Sequence, residues 1–155
     1  MRPLSTLQLC TIFSLGILSG SRAYGGWHEK SDYDYLLMIQ DYVKLDIQDD
    51  QIDRYSTGSW DGNEDHLSYI CTDEIGDKIN LIVFNSRVTF DLWVNATSVL
   101  AELYNNPIIC MGLHNKRLRL DLFRALRFAL FSDDSGLTRK CKTVEDLPEI
   151  FKSFK

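Results

Sequence analysis

The stretch Ile79–Phe84 constrains this chain most. It reads Ile-Asn-Leu-Ile-Val-Phe, entered through Gly76-Asp77 and left through Asn85-Ser86. A short apolar run of β-branched and aromatic residues between turn signals is a strand buried on both faces, so the chain must place a layer of structure on each side of it. The remaining expectations are built around that strand. Val88–Val94 reads as a neighbouring strand, and Leu118–Phe131 as a helix with Leu118, Leu122, Ala125, Leu126, Ala129 and Leu130 on one face. Arg117, Arg124 and Arg127 fall largely off that face, so the Lys116–Arg127 cluster is expected to be solvated rather than to track phosphates.

Upstream, Asp34–Ile39 is the candidate first, central strand. Tyr42–Gln48 alternates in a way that would extend a strand, with Val43, Leu45 and Ile47 on one face. Asp61 or Asn63 would cap a helix running through His66, Leu67, Ile70, Cys71 and Ile75 to a stop at Gly76. Ala96–Tyr104 reads as a second helix and Ile108–Met111 as another short strand. The alternation is that of an α/β layered sheet.

The order and spacing of several pieces resemble the von Willebrand factor type A domain. These are Ile82-Val-Phe-Asn-Ser86, Phe90-Asp-Leu92, Ala125-Leu-Arg-Phe128, Phe131-Ser132 and Ser135-Gly-Leu-Thr-Arg139. The resemblance implies a partial doubly wound, Rossmann-like three-layer α/β sheet, incomplete at its carboxyl-terminal side. It also implies a divalent-cation adhesion site at the carboxyl ends of the strands, built on Asp-x-Ser-x-Ser. That motif is degenerate here. Tyr55–Ser59 keeps the hydroxyls as Thr57 and Ser59 but has Tyr55 in place of the aspartate, whereas Asp41-Tyr-Val-Lys-Leu45 keeps Asp41 and loses both hydroxyls. Gly112–Arg117 supplies no threonine, and Thr143–Pro148 stands where a Thr-Asp-Gly loop is expected. A site missing a carboxylate loses most of its pull on a doubly charged ion, so no cofactor is expected beyond weak Mg²⁺ or Ca²⁺ binding.

The amino terminus carries a different signal. Arg2, the apolar stretch Leu7–Leu18 and the small residues of Ser21-Arg-Ala23 read as a cleavable signal peptide over residues 1–23 rather than a retained anchor, leaving one secreted domain over residues 24–155. Its loss removes Arg2 and Arg22 and no acid, so the formal net charge of −5 becomes −7. That balance argues against nucleic-acid partners, and no later segment is apolar enough to span a membrane. Cys71, Cys110 and Cys141 would remain after Cys10 leaves, which implies one bridge and a spare thiol, or a bridge to a second chain. Their spacing matches no close-spaced zinc pattern. Asn95-Ala-Thr97 is a glycosylation sequon.

Catalytic constellations are weak. Cys110 with His114 lacks a local nucleophile signature, and Asp61, Glu64 and Asp65 suit the first turn of a helix better than paired acid and base work. The acidic run Asp41–Asp53 lacks the glycine and closing glutamate of a helix-loop-helix calcium site. The expectation is therefore a secreted, non-enzymatic interaction module of adhesion or extracellular-matrix type. Its partner would be an extracellular protein or a second copy joined by a disulfide. The alternative is a small secreted ligand or effector of unrelated α/β fold, with a secreted hydrolase third.

Overall fold

The structure, a computed structural model, describes residues 1–57, 66–113 and 115–129. Two compact units divide the chain, Met1–Arg22 with Trp27–Phe90 and Ala23–Gly26 with Asp91–Lys155.

The first unit is built on a mixed five-stranded sheet. Its strands are β1 (Ile17–Ser19), β2 (Tyr33–Met38), β3 (Arg54–Thr57), β4 (His66–Thr72) and β5 (Lys78–Phe84), in the order β1-β2-β5-β4-β3. β5 is central and apolar, as its sequence requires, with Ile79, Leu81, Ile82, Val83 and Phe84 all buried. β2 pairs with it in parallel, Leu36 opposite Ile82, while the β5-β4, β4-β3 and β2-β1 pairs are antiparallel. Because successive side chains alternate, Ile79, Leu81 and Val83 share one face and Asn80, Ile82 and Phe84 the other. The first face forms a cluster with Leu37, Leu45 and Cys71, joined by Leu4 and by Ile12 of helix α1 (Thr6–Leu15); a short helix α2 (Gly20–Tyr24) follows β1. On the second face the Phe84 ring meets Phe90 edge-on, with centroids 5.8 Å apart.

Several sequence expectations change here. Tyr42–Gln48 is not a strand: β2 passes directly into helix α3 (Ile39–Lys44), Val43 is exposed, and Asp46 turns the chain with φ 48°, a conformation that short polar side chains tolerate. His66–Ile75 is not a helix: His66–Thr72 is the strand β4, whose register with β5 runs from His66 opposite Phe84 to Thr72 opposite Lys78, and Ile75 is exposed in the turn that follows. Val88–Val94 is not a strand. It opens the long helix α4 (Arg87–Tyr104), because Phe90, Trp93, Ala96, Thr97 and Leu100 recur at three- and four-residue spacing and are all buried, whereas Val88 is exposed. Ile108–Met111 also turns out helical, as α5 (Pro107–Gly112). Asn106 caps it by accepting from the Ile108 and Ile109 amides, and Pro107 sits in the first turn.

In the second unit, α6 (Lys116–Ala129) forms where expected, but its buried stripe is rotated. Arg119, Leu122, Phe123, Leu126 and Arg127 are buried, and Arg124 is exposed. The reason is aromatic. Trp93 meets Phe123 edge-on at 5.3 Å, and the Arg127 guanidinium stacks 4.4 Å over Trp93, so a long stem and a planar cation are accommodated on the buried side. Tyr24 packs on Phe123, and Gly25 permits a close approach: at φ 118°, a Cβ there would lie 2.4 Å from the Tyr104 ring. Among the described residues, no helix is long and apolar enough to cross a membrane.

Candidate functional site

Asp41 and Thr57 end up at one end of the sheet without converging. Asp41 lies in the first turn of α3, just past the carboxyl end of β2, and its carboxylate is 3.3 Å from the Lys44 ammonium. Thr57 closes β3, which runs parallel to β2 but stands beyond β5 and β4. Three strand spacings are about 14 Å, so the two backbone positions stand well apart. Ser59 lies outside the described residues. No group of three or more His, Cys, Asp or Glu side chains among the described residues is placed to hold a metal.

The cysteines are also dispersed. Cys71 is fully buried in β4, and burial pushes its thiol up to about 11, so it is a poor nucleophile at neutral pH. Cys110, half-buried on α5, belongs to the other unit, and Cys10 is exposed on α1; these three are free thiols. Cys141 and His114 lie outside the described residues. Beside Cys110, the Tyr104 hydroxyl is shifted upward, first by burial and then by the thiol. Asn95 is exposed in the middle of α4 rather than just past a strand, and the Thr97 hydroxyl donates to the Trp93 carbonyl at 2.8 Å. On α6, only part of the basic cluster is solvated. Arg117 pairs with Asp121 at 3.4 Å, while Arg119 is buried and donates to the Leu113 carbonyl at 2.8 Å.

Two constellations were not singled out from sequence. The first is a polar row across the sheet. The Ser68 hydroxyl donates to Asn80 Oδ1 at 2.5 Å and Asn80 Nδ2 donates to Asp34 Oδ1 at 2.9 Å, linking β4, β5 and β2. Gly20 closes one end of the row, since a Cβ there would fall 1.9 Å from Asp34 Oδ2. Near the other end, Arg54, Ser56, Ser68 and Ile70 line a groove of about 280 Å³ on the exposed β3 side. The row ties three neighbouring strands through side chains and so helps to hold their register. The signal in the sequence is a polar residue between two large or apolar ones in each strand, Tyr33-Asp34-Tyr35, Leu67-Ser68-Tyr69 and Ile79-Asn80-Leu81.

The second constellation ties the amino terminus to the loop after α3. Arg2 forms a two-bond ion pair with Asp50, both bonds 3.0 Å, and this partner holds the exposed Asp50 carboxyl below its usual range. Gln51, almost fully buried, donates to the Pro3 carbonyl at 3.1 Å and to Gln8 Oε1 at 2.8 Å, and accepts from Gln8 Nε2 at 3.0 Å. The Leu4 amide donates to the Thr72 carbonyl at 2.8 Å. A cleft of about 390 Å³ opens beside these contacts.

Comparison with protein-family models, with curated proteins and with solved structures finds no match.

Proposed function

We propose that the chain is a secreted, non-enzymatic protein-interaction module of adhesion or extracellular-matrix type. In this reading it is a shortened, partly doubly wound α/β domain of von Willebrand A type with a degenerate metal site, and residues 1–23 direct its export. The observation that carries the reading is the central parallel pair: β2, the candidate first strand, lies against the doubly buried β5 and delivers Asp41 just beyond its carboxyl end. Open α/β sheets place their ligands at that end. Contact chemistry is favoured over ion coordination, because Asp41 is paired with Lys44 and Thr57 is three strands away. An extracellular protein is the partner.

The test has two parts. Cells expressing the whole chain should release a protein whose mass corresponds to a start at Tyr24, and millimolar Mg²⁺ should leave its melting temperature unchanged. A ligand bound only to the folded state must raise that temperature, so a clear rise would restore the metal-site reading.

One observation favours the second reading, a small secreted ligand or effector of unrelated α/β fold. β4 runs antiparallel to β5, and the segment that the resemblance makes a strand, Val88–Val94, is helical.

A further inference from the structure

We propose that residues 2–19 occupy the surface on which the exported chain binds its partner, and that the partner is a protein segment of the same chemistry: an apolar stretch carrying a cation. The proposal rests on removal of residues 1–23 as set out above.

What the segment covers defines the site. β1 satisfies the outer edge of β2, with Ile17 opposite Leu36, Leu18 opposite Tyr35 and Ser19 opposite Asp34. Leu4 and Ile12 are fully buried in the cluster of Leu37, Leu81, Val83 and Cys71. Without them, a strand edge and an apolar face are open together, a combination that invites strand addition. The polar contacts specify the occupant further. Gln51 is 1 % exposed, and its Nε2 has both of its acceptors, the Pro3 carbonyl and Gln8 Oε1, in the segment that leaves. An occupant must therefore bring a carbonyl or amide oxygen to that place. Asp50 loses the guanidinium of Arg2, Asp46 lines the adjoining cleft, and Asp49 precedes Asp50 in the same short turn. This acidic rim calls for a basic partner and disfavours a second copy of a chain with net charge −7.

The probe is a synthetic peptide of residues 1–19, added to protein collected from the medium of cells expressing the full chain. The peptide should bind the exported protein and slow alkylation of Cys71. It should fail to bind intact full-length chain made without export, whose own segment fills the site. An I12D peptide, placing a carboxylate where Ile12 is wholly buried, should bind at least about a hundredfold more weakly. Reversing the exposed pair with D50K should weaken the parent peptide about threefold to tenfold, and an R2D peptide should recover the loss.

Equal binding of the parent and I12D peptides, equal binding to both forms of the protein, or self-association that the peptide does not reverse would each overturn the proposal. So would an exported chain starting at Tyr24 that keeps Cys71 protected and ignores the peptide; export itself would still stand. A secreted protein that retains Met1 would instead overturn the reading on which the proposal rests.

Discussion

Asn80 shows how one side chain can set a register. It sits between the apolar residues Ile79 and Leu81–Phe84 of β5, and its amide reaches Asp34 on one neighbour and Ser68 on the other. A one-residue slip of either neighbour would break the chain of bonds and turn every apolar side chain to the wrong face. N80L should cost about 1–3 kcal/mol in urea unfolding, because a half-buried donor and acceptor lose a partner and the leucine cannot replace it. A cost near zero would show the row to be incidental. Burial at the other face sets a pH dependence. In the folded chain Cys71 is raised from 9.0 to about 11, and Tyr42, half-buried and stacked on Tyr69, from 10.0 to about 12. A raised value means the fold holds the proton more tightly. The stabilisation is complete below about pH 9 and is lost as pH climbs toward about 12. The C71A/Y42F double variant should therefore lose less stability than the parent between about pH 8 and pH 11; parallel losses would contradict the assignment.

At the scale of elements, the strands β2 and β5 and the helix α6 were legible because length, flanking turns and apolar content agreed. Four other segments were not, each because a short pattern supports two periods. Val88, Phe90 and Leu92 alternate like a strand, but the longer window shows Phe90, Trp93, Ala96 and Leu100 on one helical stripe. His66, Leu67, Ile70 and Cys71 have helical spacing, yet β5 offers a register that buries His66 and Cys71. In α5 the cap outweighed the apolar run. Asn106 followed by Pro107 is a start signal that strand composition masked, and Ile108 and Met111 are left exposed. Replacing Asn106 with Ala should destabilise the chain by about 0.5–2 kcal/mol in thermal or denaturant unfolding, whereas D91P, inside α4, should cost about 3 kcal/mol or more. Equal and negligible costs would contradict both helix assignments. Of the candidate site, only Asp41 could be placed from sequence. The polar row and the Gln8–Gln51 pair join residues far apart in the chain, and no local pattern announces such a meeting.

At the scale of the whole molecule, the amino-terminal segment has two readings in two states of the chain. In the proposal it is an export signal, and in the intact chain it supplies β1, two fully buried core residues and the partners of Gln51. Both follow from one property: an apolar stretch of this length is recognisable by an export machinery and equally able to pack on an open sheet. The interaction-module proposal and the binding surface inferred for it depend on β5 lying at the centre of that sheet, bonded to β2 on one side and β4 on the other. Amide hydrogen exchange on the intact chain tests this most directly. The Leu81, Ile82 and Val83 amides should exchange only with global unfolding, far more slowly than those of the edge strand Tyr55–Thr57. Exchange at Leu81–Val83 as fast as at the edge would contradict the central position of β5 and remove the basis for both proposals.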